Sequence, residues 1–290
     1  WRLPRGSRRL SLASGTCQHG QVIEQSTGWT PRRIDLSSVP NLREVGGAPA
    51  GQGSVVRSNV LFRSTQLANL DDDDLPAVEA LNLAMVFDLR TAGEVERAPD
   101  VRVTDTYVWL DVLRDFAMAT AVGVEDVFAD PRAFETMLQD GTATSLMHGA
   151  YLAMVELPSA QQSYGRWLSD LAAGDGPVLV HCTNGKDRTG WAVALVLLAV
   201  GVDVDDVMTD YLTTNEQLLP VMEGLFASVH EQGIDPSLLL PVMGVHEDYL
   251  ATALERVEGF GGLDAYLDLL GIGDTQRSQL IARLTVPAAG

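Results

Sequence analysis

The strongest constraint on the fold of this chain is an abrupt change of hydrophobic pattern near residue 180. Residues 177–180 (PVLV) form a short apolar run typical of a buried strand, and residues 191–202 form a longer apolar run of helical length. Only the ten residues 181–190 separate them. A buried strand that turns directly into a helix is typical of α/β folds, so the sequence predicts an α/β protein.

Other strands and helices are predicted from apolar runs and from glycine and proline boundaries. The pattern predicts strands over residues 60–63, 83–89 and 106–110, and a turn over residues 41–47. The predicted helices cover residues 148–171, 189–200, 204–213, 216–232, 237–243, 246–257, 263–270 and 275–284. Strands therefore alternate with helices first, and helices fill the C-terminal part.

Two acidic segments are harder to assign. Asp71 to Asp74 are four consecutive carboxylates before Leu75. They could bind a cation, but acidic side chains also favour a helix N-terminus, and we prefer that interpretation. Residues 112–145 show little periodicity and are interpreted as an insertion or a mobile segment.

Composition limits the partners of this chain. Its net charge is −19 and 46% of its residues are hydrophobic. A globular protein this acidic is repelled by nucleic acid, so we expect no nucleic-acid partner. No run approaches the ~20 apolar residues of a membrane span, so we expect no stable membrane insertion. The oligomeric state is left open.

The two cysteines, Cys17 and Cys182, are too few for a disulfide scaffold. Cys17 and His19 could contact a metal together, but we interpret them as part of a tail and predict no metal and no cofactor. Residues 3–7 (LPRGS) resemble a protease-site remnant, and we expect residues 1–28 to be a flexible tail before a single domain over 29–290. Without a recognisable signal peptide, we expect a cytoplasmic protein or one exported by another route.

The segment between the two apolar runs has the composition of an anion site. A strand, a tight turn and a helix N-terminus direct several backbone N–H groups at one point, and such a nest binds phosphate. Thr183, Asn184 and Gly185 belong to the turn, where Gly185 lets the backbone approach the anion closely. Lys186 and Arg188 add positive charge.

Cys182 begins this loop, where the helix N-terminus and the two cations favour its thiolate. A free thiol, with a pKa of about 8.5, is mostly protonated at neutral pH, so the phosphate-binding groups would also activate the nucleophile. The planar Arg188 side chain can bind two phosphate oxygens. Thr189 can donate a hydrogen bond to the sulfur, and His181 is assigned only a structural hydrogen bond within the loop.

The C-x5-R spacing of Cys182 and Arg188 is similar to the signature of the protein tyrosine phosphatase superfamily. The longer string HCTNGKDRTG (residues 181–190) resembles a bacterial branch that includes atypical lipid phosphatases. Further segments that resemble this branch are residues 41–47, 61–64, 87–90, 210–215 and 261–267. The resemblance covers most of residues 38–285 and implies a central, mostly parallel sheet flanked by helices, with a helical C-terminal part.

The resemblance also implies a two-step reaction through a cysteinyl-phosphate, which needs a proton donor for the leaving oxygen. The chain has no Trp-Pro-Asp tripeptide, which many members of the superfamily use. The branch that it resembles has an aspartate inside the loop, and the resemblance therefore implies Asp187 as the acid. Asp88 is the alternative, although a structural pairing with Arg90 or Arg63 is the preferred interpretation for it. Asp111 and Asp115 are outside candidates.

A second loop cation, Lys186, suits substrates with more than one phosphate, so the resemblance implies phosphoinositides beside phosphotyrosine proteins. Residues 216–249 match the position of a helical lid in the resembled branch. Their apolar face is equally consistent with ordinary packing against the core.

Two other functions remain open at this level. The chain could be a phosphate-recognition module without turnover, although recognition alone needs no nucleophile such as Cys182. It could also be another thiol enzyme on a similar loop, such as a sulfurtransferase or arsenate reductase. The GKDRTG string and the lack of a resolving cysteine near Cys182 argue against that class.

Overall fold

The computed structural model describes residues 28–116, 136 and 138–288. Its strands are β1 (Arg32–Arg33), β2 (Arg43–Glu44), β3 (Pro49–Ala50), β4 (Ser54–Val56), β5 (Leu61–Ser64), β6 (Met85–Asp88), β7 (Tyr107–Trp109), β8 (Val178–His181) and β9 (Thr285–Pro287). Six strands form the main sheet in the order β1-β2-β5-β8-β6-β7, and β3-β4-β9 form a small second sheet.

Helices cover the main sheet and fill the C-terminal part. They are α1 (Leu75–Glu79), α2 (Ala92–Arg97), α3 (Thr142–Glu156), α4 (Pro158–Ala173), α5 (Asp187–Ala199), α6 (Val204–Leu218), α7 (Glu223–Glu231), α8 (Leu240–Met243), α9 (Glu247–Gly259), α10 (Leu263–Leu269) and α11 (Asp274–Leu284). No helix among these described residues is long and apolar enough to cross a membrane.

The centre of the sheet determines where the site lies. Strand β8 pairs in parallel with β5 on one side and β6 on the other, and β6 pairs in parallel with β7. The register aligns His181 with Ser64 and with Asp88. The carboxyl ends of these strands therefore meet at one edge, where the residues that follow each strand come together. The predicted mostly parallel sheet flanked by helices is confirmed.

Hydrophobic residues on both faces hold the sheet. One face packs against α4 and α5, where the Phe87 and Trp167 rings lie edge to face at 4.6 Å, a favourable aromatic geometry. The other face packs Phe62, Val86 and Leu179 against the α1 side. A separate small core forms between α3 and residues 219–243. Strand β8, three apolar residues followed by His181, is thus buried on both faces, as expected for a central parallel strand.

Two predicted helices are wrong because each contains a proline break. The helix predicted over 148–171 is two helices, α3 and α4, because Pro158 lacks a donor and forces Leu157 into extended backbone. The helix predicted over 216–232 is also divided: α6 runs on to Leu218, and a 3-10 turn at Pro220–Met222 precedes α7.

Several other predictions can be compared with the structure. The predicted turn over residues 41–47 contains β2, so it is wrong in part. Helix α1 begins directly after the acidic run as predicted, but the Asp74 carboxylate accepts hydrogen bonds from Ser37 and Ser38 and makes no capping bond. The predicted tail lies almost wholly outside the described residues, as do Cys17 and His19 and residues 117–135 of the predicted insertion.

Candidate active site

The loop between β8 and α5 is fixed from outside through its carbonyl groups. Arg63 donates to the Gly185 oxygen at 2.7 Å, and the Asn41 side-chain amide donates to the Gly185 and Asn184 oxygens at 3.0 and 3.2 Å. The Gln66 amide donates to the Thr183 oxygen at 3.0 Å. A peptide's C=O and N–H point in opposite directions, so the amides of residues 184–186 face the other side of the loop. The amides of residues 184–186 are thus left on one side of the loop, as an anion nest requires.

A buried trio of charges beneath the loop holds this scaffold. The Asp210 carboxylate accepts from Arg43 Nε at 2.7 Å and from an Arg63 guanidinium nitrogen at 2.5 Å. Burial alone would raise the pKa of Asp210, but the two guanidinium groups hold it below its usual range. Burial and the neighbouring Arg63 lower the pKa of Arg43 to about 10. The trio thus joins β2, β5 and α6 directly under the loop.

Gly185 is required by the shape of the loop. Its φ is +63°, a backbone conformation that glycine adopts without steric cost. A Cβ atom at this position would lie 2.1 Å from the Ser64 carbonyl oxygen. Any side chain would therefore push the loop away from the end of β5.

Cys182 is the first residue of the loop and is a free thiol, only 2% exposed. His181, directly before it, lies beside the Cys182 carbonyl oxygen with Nδ1 3.1 Å away, in agreement with its predicted structural role. The predicted hydrogen bond from Thr189 to the sulfur is not formed: the Thr189 hydroxyl is buried and has no partner among the described residues.

Glu94 holds the Arg188 side chain at the loop, and our sequence analysis did not identify it. Its two oxygens accept from the two terminal guanidinium nitrogens of Arg188 at 2.6 and 2.7 Å. Burial opposes charge on Arg188, but the Cys182 thiolate and the Glu94 carboxylate raise its pKa above the ordinary value. Burial also opposes charge on Glu94, yet Arg188 holds the pKa of that carboxyl far below its usual range. Both groups therefore remain charged.

Glu94 is itself positioned by the start of α2. The Thr91 side chain accepts from the Glu94 amide, and the Glu94 carboxylate accepts from the Thr91 amide at 2.8 Å, which is a capping box. The Thr183 hydroxyl adds a hydrogen bond to Glu94 at 2.5 Å. The T-x-x-E spacing of residues 91–94 signals a helix start in the sequence, but nothing in that spacing indicates an arginine 94 residues away.

The remaining loop residues make contacts that the sequence did not predict. Asp187 accepts a hydrogen bond from the Tyr151 hydroxyl at 2.8 Å and lies 3.3 Å from the Lys186 ammonium. Lys186 itself donates to the backbone oxygens of Val242 and Gly244, inside the 216–249 segment, and is largely buried. The second loop cation is thus bound to protein carbonyls in this structure.

Asp88 has the structural pairing that we preferred for it. Both carboxylate oxygens accept from the Arg90 guanidinium, at 2.9 and 2.7 Å. Asp88, Asp100 and His181 also bring possible metal-ligating atoms within 4.8 Å of one another. Arg90 donates to Asp100 as well, at 2.6 Å, so a fixed positive charge already occupies the position that a cation would need. The donor set does not fit a metal ion.

The two outside candidates for the general acid, Asp111 and Asp115, have different environments. Asp115 exchanges two hydrogen bonds with Ser159 at the start of α4, the Ser159 amide donating to its carboxylate at 2.8 Å, and so has a structural role. Asp111 follows β7 and accepts from the Ala92 amide at 3.2 Å. Burial raises the pKa of Asp111 above its ordinary value.

A mostly parallel sheet, with a loop that begins at a cysteine after its central strand and an arginine fixed at that loop, is the arrangement expected of a phosphatase. The chain belongs to the tyrosine phosphatase family, which matches residues 34–286. It is 33% identical over 267 positions to the triple specificity protein phosphatase PtpB of Mycobacterium tuberculosis, covering 82% of this chain and 94% of that protein. A tyrosine-protein phosphatase of Nostoc commune is 28% identical over 244 positions, covering 82% of this chain and 78% of that protein. The chain is therefore a phosphatase enzyme that acts on phosphorylated substrates.

Proposed function

We propose that this chain hydrolyses phosphate monoesters in two steps, with Cys182 as the nucleophile. The thiolate attacks phosphorus and forms an S–P bond while the P–O bond to the leaving group breaks. Water then attacks the cysteinyl-phosphate, which releases inorganic phosphate and returns the thiolate. The observation that carries this proposal is the buried cysteine at the base of a loop whose carbonyls, from Thr183 to Gly185, are all bound from outside.

Arg188 is proposed to bind the transferring phosphoryl group. A guanidinium has five N–H donors. Glu94 takes two of them, and the Leu89 oxygen accepts weakly at 3.5 Å. Nε–H and one terminal N–H are left without an acceptor in the described part of the chain. Two donors are what a bidentate contact with two phosphate oxygens requires.

Asp187 is proposed as the proton donor to the leaving oxygen and as the base that activates water. Its side chain is at the rim of the loop and partly open, and Tyr151 holds one oxygen. Asp88 is not proposed, because Arg90 occupies both of its oxygens. Asp111 is a second candidate, because its raised pKa favours the protonated form that a general acid needs.

The proposed substrates are phosphotyrosine proteins and, as a second class, phosphoinositides. Membership of the tyrosine phosphatase family supports the first class. The mycobacterial relative is named a triple specificity phosphatase, which supports activity on more than one class of substrate. Lys186 supports the second class as an extra cation. Its ammonium is bonded to the Val242 and Gly244 carbonyls, so a second phosphate could reach it only after residues 216–249 move. We therefore propose that this segment is a lid on the single domain.

The decisive experiment compares the wild type with Cys182→Ser. Phosphate release is measured from a phosphotyrosine peptide and from a set of phosphoinositides, and peptide binding is measured for both proteins. We expect release by the wild type alone and binding by both. Binding without release by the folded, reduced wild type would instead support a phosphate-recognition module. Thiol chemistry on thiosulfate or arsenate without phosphate release would support the other thiol-enzyme classes.

A further inference from the structure

A groove begins beside the loop between β8 and α5 (residues 182–186), here called the phosphate loop, and leads away from it. It consists of two adjoining cavities of about 210 and 270 Å³ that share Pro40 and Val221. Thr183 and Asn184, the two residues after the nucleophile, line the inner cavity. Gln217 lines the outer one. The groove is therefore continuous with the part of the loop that follows Cys182.

The floor of the groove is fixed to the phosphate loop by hydrogen bonds. The Thr65 amide donates to the Pro40 oxygen at 3.2 Å, and the next residue, Gln66, donates to the Thr183 oxygen at 3.0 Å. The Asn41 side chain, on the outer cavity, donates to the Asn184 oxygen at 3.2 Å. A ligand in this groove would thus be held in a defined position relative to the nucleophile.

The walls combine an exposed apolar side chain with two polar side chains that each bury an atom without a partner in the described part of the chain. Val221, on the 3-10 turn after α6, is 54% exposed, although most valines are buried. The Thr65 hydroxyl and the Gln217 side-chain nitrogen have no hydrogen-bond partner among the described residues, and these side chains are only 6% and 8% exposed. Buried polar groups without partners are uncommon in native proteins and call for a ligand or a rearrangement.

The charge of the groove identifies the class of ligand. Among the residues that line the two cavities, Arg33 is the one cation, and it lies 3.4 Å from Asp35. An inositol ring with several phosphates needs clustered cations, which this lining does not supply. A peptide chain has backbone donors and acceptors that match the amide and hydroxyl side chains of the groove, and apolar side chains that match Val221.

We propose that this groove binds the polypeptide chain next to the phosphotyrosine of a protein substrate. The proposal rests on the phosphatase function proposed above. It makes Val221 a residue that determines substrate preference while taking no part in the chemistry. A substrate that ends at the phosphotyrosine would leave the groove empty, and one that continues would fill it.

The test is Val221→Asp in the full chain, assayed on free phosphotyrosine, on a phosphotyrosine peptide and on phosphoinositide vesicles. A carboxylate in the apolar wall should lower kcat/KM for the peptide roughly tenfold, mainly through KM, and change that for free phosphotyrosine less than about twofold. Ile281→Asp is the matched control, because Ile281 is 41% exposed on α11 and does not line the groove. It should leave both values unchanged.

Each other outcome overturns the proposal in a recognisable way. An equal loss on both substrates would mean that the turn supports the loop and binds no peptide. No loss on the peptide would mean that the groove is unused. A loss confined to phosphoinositide vesicles would assign the groove to a lipid headgroup. Failure of the wild type on every substrate would instead refute the proposed function, so the two failures are distinguishable.

Discussion

At the scale of single residues, the least expected feature is that Arg188 depends on Glu94. A free arginine side chain samples many rotamers, and ordering it costs free energy. Two hydrogen bonds that Arg188 donates to the Glu94 carboxylate fix the guanidinium before substrate arrives. Positioning of this kind lowers the cost of reaching the transition state, because the donors need not reorganise.

Removing the Glu94 charge should therefore impair catalysis. For Glu94→Gln we expect kcat/KM on a phosphotyrosine peptide to fall about 10- to 100-fold, as for other residues that orient a catalytic group. Glu96→Gln, on the same helix, is the control and should have little effect. Unchanged kinetics in Glu94→Gln would mean that Arg188 is held adequately by the loop alone.

The same pair makes a prediction about pH. The pKa of Glu94 is held below its ordinary value, so its contribution to stability is complete above the unfolded value of about 4.3 and is lost as pH falls further. The difference in unfolding free energy between the wild type and Glu94→Gln should thus stay constant, within measurement error, from pH 5 to 8. It should shrink in stronger acid. Chemical denaturation at several pH values measures it. A difference that changes between pH 6 and 8 would contradict the assignment.

The identity of the acid is also a question of single residues. If Asp187 donates the proton, Asp187→Asn should lose activity on phosphotyrosine, whose leaving group is poor, much more than on p-nitrophenyl phosphate. Asp111→Asn is assayed in parallel. The variant that loses activity mainly on phosphotyrosine identifies the acid. If only Asp111→Asn shows this selective loss, the acid is Asp111. An equal loss of Asp187→Asn on both substrates would indicate a damaged loop.

At the scale of secondary-structure elements, the sequence predicted the central strands because apolar residues mark them. The central strands β6 and β8 each have three apolar residues before one polar residue, and both lie within about two residues of their predicted bounds. Strand β2 consists of Arg43 and Glu44. Two consecutive charged residues are typical of an exposed loop, and the strand is explained only by the Asp210 carboxylate that pairs with Arg43. The proposed nucleophile, the proposed phosphate-binding arginine and their loop could be predicted because they are adjacent in sequence. Glu94 was not, since only the fold brings it to Arg188.

The proposed lid contacts the phosphate loop through the Lys186 side chain. Lys186 donates to the Val242 and Gly244 oxygens. The Asn215 side chain accepts from the Val245 backbone amide at 2.8 Å and donates to the Val245 oxygen at 2.9 Å. Breaking the Asn215 contacts should loosen this attachment. Because Lys186 is the single lysine of the sequence, its exposure can be measured with an amine-reactive reagent.

We therefore expect Asn215→Ala to increase the rate of Lys186 labelling about tenfold or more, measured by mass spectrometry of the peptide that contains it. Gln279→Ala, an exposed change on α11, should label at the wild-type rate. Faster labelling should be accompanied by faster inactivation by peroxide, because the thiolate loses its cover. Equal labelling rates in both variants would show that the segment is not held at this point.

At the scale of the whole molecule, the buried Arg43–Asp210–Arg63 trio connects distant parts of the chain. Removing one partner from a buried charge cluster leaves the others uncompensated, so Asp210→Asn should destabilise the protein by about 3–5 kcal/mol. Asp170→Asn, which breaks the exposed pair with Arg166, should cost less than about 1 kcal/mol. Urea unfolding at pH 7 measures both. A small effect of Asp210→Asn would mean that the loop scaffold does not rely on this carboxylate.

The net charge of −19 affects how an anionic substrate reaches this site. At low ionic strength the field of the whole chain repels an acidic phosphopeptide, and salt screens that field over a Debye length of about 10 Å at 0.1 M. Raising the salt concentration should therefore increase kcat/KM for an acidic phosphopeptide and decrease it for a basic one of equal length. If instead kcat/KM fell with salt for both peptides, the local field of Lys186, Arg188 and the helix N-terminus would control association, and the charge on the rest of the surface would serve only solubility.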